Sequence, residues 1–144
     1  MKKLLIDINI VLDLLAKRDQ FYHGAASLFS MADKGKVDLA VSALTFANTN
    51  YVLTKMNSAQ EARKMLRRFK VLVEVLSRTE KIVEIALSDD GFKDFEDGLQ
   101  HYSALEYGCD IIITRDMLGF KNSKLPVMTA EEYLSSIDNH GANG

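Results

Sequence analysis

Short apolar runs alternate with longer stretches whose apolar residues recur every three to four positions, and this alternation spans the chain. The runs at 3–7, 37–41, 71–75, 110–114 and 127–129 read as strands. Their near-continuous Leu, Ile and Val mark strands buried on both faces, as in a parallel sheet. Between them, spacing close to the helical period predicts helices over 9–17, 21–34, 42–56, 58–70, a stretch carrying Ile82, Ile85 and Ala86, then 94–107 and 129–137. Ser58-Ala59-Gln60-Glu61 and Ser77-Arg78-Thr79-Glu80 have the form of capping boxes, and Thr129 to Glu132 caps the last helix. Gly35 and Gly108 stand where two helices should stop. Strand–helix alternation of this kind predicts one doubly wound α/β domain, three layers deep, with a central, mainly parallel sheet of about five strands. The domain is expected to fill residues 1–137, with 138–144 a flexible polar tail.

A length of 144 residues suits one domain with its own core. Among these residues 47% are hydrophobic, 26% are charged and one is proline, an ordinary globular balance without a linker. The start, Met1-Lys2-Lys3-Leu4-Leu5-Ile6-Asp7, resembles a signal peptide only briefly, because Asp7 and Asp13 interrupt it and no small-residue cleavage site follows. No stretch approaches the ~20 apolar residues of a membrane span. Cys109 is the only cysteine, so no intrachain disulfide forms and a cytoplasmic location is expected. A formal net charge of −2 disfavours a dedicated duplex-DNA coat protein, which would usually be basic.

The candidate chemistry lies in carboxylates placed where strands end or helices begin. Asp7 closes the first apolar run, Asp94 and Asp97 open a helix, and Asp116 follows Ile111-Ile112-Ile113-Thr114-Arg115. Each alone reads equally as a helix cap or a turn residue. On a parallel sheet, however, residues following strands emerge at one edge, where ligands bind. Carboxylates sharing a crevice repel one another unless a cation lies between them, and an oxygen-only set suits Mg²⁺ or Mn²⁺. Arg63, Lys64, Arg67, Arg68 and Lys70 fall on the solvent side of a helix whose core stripe is Ala62, Leu66 and Phe69. They read either as a solvated face or as a phosphate track for RNA. His101 is expected on a helix surface, Cys109 as a small buried hydrophobe, and Tyr22, Tyr51, Tyr102 and Tyr107 mainly in the core.

Taken together these segments resemble the PIN domain, a metal-dependent nuclease fold that includes VapC-type toxins. The carriers are Leu5-Ile6-Asp7-Ile8-Asn9-Ile10-Val11-Leu12-Asp13-Leu14-Leu15, Val41-Ser42-Ala43-Leu44-Thr45, Asp94-Phe95-Glu96-Asp97-Gly98-Leu99-Gln100 with Ser103-Ala104-Leu105, and Ile112-Ile113-Thr114-Arg115-Asp116 with Phe120. The resemblance implies that Asp7, Asp97 and Asp116 are catalytic and hold Mg²⁺ or Mn²⁺, with Asp94 a further ligand candidate. It implies that Thr114 orients the last carboxylate and that Asn9 supports the first. Asn48 stands where many relatives carry Glu, and Gly119 where a further Asp is common. The implied activity is hydrolysis of RNA phosphodiester bonds, as the toxin of a toxin–antitoxin pair, with an antitoxin protein as partner and a homodimer as the assembly. The competing reading is a catalytically weakened PIN-fold module that binds RNA or a protein partner. For an active site, Asp7→Asn or Asp97→Asn is expected to abolish hydrolysis and to leave the fold intact or slightly more stable in chelator.

Overall fold

A computed structural model of the chain describes residues 1–143, with side chains to Asp138. Along the chain it runs β1 (Lys3–Ile6), α1 (Ile8–Leu15), α2 (Tyr22–Asp33), β2 (Asp38–Ser42), α3 (Ala43–Met56), α4 (Ala59–Lys70), β3 (Glu74–Leu76), α5 (Glu80–Leu87), α6 (Phe95–Glu106), β4 (Ile111–Ile113), β5 (Val127–Met128) and α7 (Ala130–Asn143). All four strand pairings are parallel, in the order β3-β2-β1-β4-β5.

Side chains of successive strand residues point to opposite faces, and this separates the layers. Leu4 and Ile6, Leu39 and Val41, and Ile111 and Ile113 pack on one side with Ile10, Val11, Leu28 and Phe29 of α1 and α2 and Tyr133 of α7. Leu5, Ala40 and Ile112 pack on the other with Ala104 of α6, Phe92 and Phe120. Ile82 and Ala86 of α5 close over Leu99 of α6. The α3–α4 hairpin makes a further cluster, in which Leu53 and Ala62 meet Leu12 of α1. The expected three-layer α/β/α arrangement is therefore present.

The chain winds outward from β1 through β2 to β3, then resumes at β4 on the opposite side of β1. The connections leaving β1 and β4 consequently diverge, which opens a crevice at the carboxyl ends of those two strands. Asp7 and Asp116 both follow these ends.

The pattern is misleading in several places. The third strand spans Glu74–Leu76, not 71–75. Val71, Leu72 and Val73 instead continue the end of α4 as tight turns, with amides donating to Arg68, Phe69 and Lys70 carbonyls, and Val71 is largely exposed. Thr79, not Ser77, caps α5, accepting from Ile82 N at 3.3 Å. Tyr51 is exposed on α3, with Lys55 Nζ over its ring, rather than in the core. The backbone of α7 continues past Ile137 to Asn143, through most of the expected tail; Gly144 lies outside the described residues. No helix among the described residues is long and apolar enough to cross a membrane.

One buried ion pair ties the start of the fold to the fourth strand. Asp13 of α1 is 1% exposed and accepts from Arg115 Nε and Nη2, each at 3.0 Å. The Arg115 guanidinium also covers the Phe21 ring, 3.9 Å from its centroid. Breaking such a pair leaves a charge without its partner. Asp13→Ala is expected to lower unfolding free energy by about 3 kcal/mol, the low end of the range because Arg115 can still reach water. Urea unfolding checks this as a lower midpoint at unchanged slope.

Candidate active site

Asp7 leaves β1 in extended conformation and caps α1. Its Oδ1 accepts from Ile8 N at 2.9 Å and Gln100 Nε2 at 3.3 Å; its Oδ2 accepts from Thr114 Oγ1 at 2.8 Å and Asn9 Nδ2 at 3.2 Å. A carboxylate has about four lone-pair sites, so each is engaged. Thr114, fully buried just beyond β4, also accepts from Asp116 N at 3.0 Å. It therefore orients the first carboxylate directly and the last only through the backbone. Asn9 Oδ1 accepts from Arg115 N at 3.2 Å, joining the two crevice loops.

Helix α6 supplies the second arm. Asp94 is its N-cap, accepting from Glu96 N at 2.8 Å. Asp97 lies one turn further, where helix-end amides favour negative charge. Asp116 Oδ1 accepts from Gly119 N at 2.9 Å. A Cβ placed on Gly119 would stand 2.6 Å from Asp97 Oδ2 and nearer still to Asp116 Oδ2. The two oxygens thus face one another across a gap that any larger residue would fill. Burial, then the charges of Asp94, Asp7, Asp116 and Glu96, push the Asp97 carboxyl up to about 7. A cavity of about 220 Å³ opens beside this pair, bordered by Lys93, Asp94, Asp97, Asp116, Leu118 and Lys121 among others.

As the side chains stand, no three acidic, His or Cys groups among the described residues close around one point. The donor set nevertheless suits a hard divalent cation. It is all carboxylate oxygen, it leaves a gap beside Gly119, and burial together with the neighbouring negative charges raises the Asp97 carboxyl to about 7.

Asn48 of α3 turns its amide to Glu96, with Nδ2 donating to Oε1 at 2.9 Å. Asn48 thus brings the Glu96 carboxylate of α6 against α3. The basic face of α4 is divided. Arg63, Arg67 and Lys70 border a groove with Phe46, Ala47 and Asn50 of α3, whereas Arg68 borders another with Leu14, Leu15, Lys17 and Met65. Lys64 is exposed but borders neither groove.

Gln100, 2% exposed and bonded to Asp7, is a site residue not expected from the sequence, although its place one turn after Asp97 put it on the same helix face. Lys93 and Lys121 carried no signal, being isolated lysines in loops. His101 is fully buried, not on the surface. The loop after β4 covers that face of α6, and His101 Nε2 accepts from Lys124 N at 3.0 Å while its ring packs on Phe92. Cys109 is buried, which pushes its thiol up to about 11 and leaves it inert.

A parallel α/β sheet with carboxylates gathered at its topological switch point defines a class of acidic, oxygen-donor sites. The family model described as "PIN domain" matches residues 3–118, and the chain belongs to that family. It is 28% identical over 139 residues to "Ribonuclease VapC1" of Aquifex aeolicus, an alignment covering 92% of this chain and 93% of that protein. Among solved structures it resembles a "Toxin-antitoxin complex from Klebsiella pneumoniae", with TM-score 0.66, 21% identity, and 88% of this chain and 96% of that one covered. It also resembles the "DNA bound VapBC from Salmonella typhimurium", with TM-score 0.68, 14% identity, and 90% and 99% covered.

The two carboxylates should respond oppositely to neutralisation, contrary to the common behaviour expected above. Asp97 has a folded value above the ordinary 3.8, so without metal the stability from its neutral form is complete below about pH 4 and lost as pH rises through about 7. In chelator, Asp97→Asn should therefore melt higher than wild type at pH 8 and nearly with it at pH 4. Asp7→Asn replaces one carboxylate oxygen by an amide nitrogen that faces two of the four donors, and it should melt lower at both. Thermal melts of the three proteins at the two pH values decide this.

Proposed function

We propose that the chain is a divalent-metal-dependent endoribonuclease acting as the toxin of a toxin–antitoxin pair. The convergence of Asp97 and Asp116 beside Gly119, with Asp7 alongside, carries this reading. The family match and the likeness to a ribonuclease over nearly the whole chain support it. Asp97, Asp116 and Asp7 are the residues that would hold Mg²⁺ or Mn²⁺. Asp94, half committed as a cap, adds negative charge and at most one oxygen. When bound, the ion supplies acidification of the attacking water and stabilisation of charge on the phosphoryl oxygens. The protein's own task is positional. Thr114 and Asn9 fix Asp7, Asn48 fixes Glu96, and Lys93 and Lys121, which border the cavity beside Asp97 and Asp116, would attract the RNA backbone there. Arg63, Arg67 and Lys70 lengthen the RNA track, while Lys64 and Arg68 add long-range attraction.

The antitoxin would use the groove of Leu14, Leu15, Met65, Phe69 and Leu72, whose rim carries Lys17 and Arg68. An apolar floor with a basic rim suits an amphipathic acidic segment. Exposed Tyr51 and Met56 on α3 support a homodimer, and the location proposed is the cytoplasm. The binding-module alternative draws on the four bonds already made by Asp7 and on the missing α3 carboxylate.

A thermal-shift titration with Mn²⁺ and Mg²⁺, followed by cleavage of single-stranded RNA, separates the two. Wild type should gain about 2.7 kcal/mol at a hundredfold excess over Kd and should cleave RNA; Asp97→Asn should do neither. A wild type stabilised by neither ion and inert on RNA leaves only the binding module. For the partner, Lys17→Glu should weaken capture of an acidic amphipathic peptide without slowing cleavage.

A further inference from the structure

The carboxyl edge of the sheet continues past the acidic crevice to β2 and β3, and the residue that closes that end is Arg78. It follows β3 and stops short of α5, whose cap is Thr79. The side chain lies half-buried against the sheet edge, with Nη2 donating to Ser42 Oγ at 3.2 Å. Its Nε is enclosed and donates to nothing. No carboxylate among the described residues comes within ion-pair distance of it. Burial lowers its pKa and the nearby charge of Glu96 opposes that, yet an arginine stays charged throughout the physiological range.

Holding a charge partly out of water with no partner is unfavourable, and a long side chain at an exposed edge could relieve it by swinging outward. Arg78 is instead drawn inward to Ser42. That hydroxyl caps α3 and contacts Thr45 Oγ1 at 3.0 Å; Thr45 accepts from Gln100, which in turn donates to Asp7. The guanidinium is thus pre-positioned on the same hydrogen-bonded frame as the acidic site. Strands lie about 4.8 Å apart, so the end of β3 is roughly 10 Å from the end of β1.

We propose that Arg78 is an RNA anchor, binding a backbone phosphate of the strand one or two nucleotides from the bond cleaved beside Asp97 and Asp116. A planar fork of N–H donors matches a phosphodiester's two free oxygens. The strand then lies along the sheet edge, from Arg78 past Ser42 and Asp7 to Lys93 and Lys121. This rests on the ribonuclease reading but can fail separately from it.

The test is fluorescence anisotropy of a labelled single-stranded RNA in the Asp97→Asn background, which stops cleavage, with Arg78→Gln and Arg78→Lys added and salt varied. Gln keeps a donor for Ser42 but removes the charge. It should melt no lower than its parent, weaken RNA binding by roughly tenfold to a hundredfold, and reduce the slope of log affinity against log salt by about 0.7. Lys should recover the slope but not the full affinity, for want of the fork. RNA bound by Arg78→Gln with its parent's affinity and slope overturns the anchor and leaves Arg78 a tether between β3 and β2. No RNA bound by the parent itself overturns the ribonuclease reading and the anchor together.

Discussion

The site hangs on the hydrogen bonds that converge on one buried carboxylate. Asp7 takes its four from α1, α6 and the turn after β4, three parts of the chain that share no local sequence. These donors replace the water that the buried carboxylate has lost. The same bonds fix the crevice walls relative to each other. Gln100 draws α6 toward β1, and Thr114 draws the β4 turn inward, which carries Asp116 with it through its backbone amide. Arg115, between Thr114 and Asp116, reinforces the pull from below by pairing with Asp13.

Against that frame stands the repulsion it creates. Asp97 has little direct support, and burial, with the charge of its acidic neighbours added, raises its pKa. The division is functional in form: one carboxylate is locked by donors, while another remains uncompensated and ready for a cation. Gly119 fits the same logic, since its missing side chain is what allows Asp97 and Asp116 to approach. A carboxylate at that position would have to displace both. Asn48 and Glu96 make a comparable exchange, with the neutral amide on α3 presenting an acidic group from α6.

The strands were legible because burial on both faces forces runs of Leu, Ile and Val, and the shared edge of Asp7 and Asp116 because both follow parallel strands, whereas Asp97 was marked only by its pairing with Asp94 at a helix start. The third strand was less so. Val71, Leu72 and Val73 are as apolar as any strand, but the end of α4 had not yet unwound. His101 and Tyr51 exchanged expected places for a similar reason. The covering loop after β4 buries one helix face and nothing covers the other, and neither fact is local to the helix. The roles of Gln100 and Arg78 were beyond reach for a different reason. Here polar residues join the frame of the site through partners 93 and 36 positions away, and spacing along the chain does not encode those distances.

The topology then constrains how a strand of nucleic acid can lie. Ligands reach a parallel sheet only at its carboxyl edge, and that edge is a line: Arg78 after β3, Ser42 after β2, Asp7 after β1, Asp116 after β4. Positive groups stand at its two ends, Arg78 at one and Lys93 with Lys121 at the other, with the acidic cluster between them. Such an order is unfavourable for an isolated anion, which would be repelled at the centre. It suits a chain of anions that spans both ends, because the outer phosphates are attracted while a bound divalent cation would reduce the repulsion of the central one by the carboxylates. On the ribonuclease reading, the acidic centre would then act as a filter as well as the reaction site. Nucleic acid would be held at the two ends without the cation and more tightly across the centre with it, so metal and RNA should bind cooperatively through electrostatics, with no conformational change required.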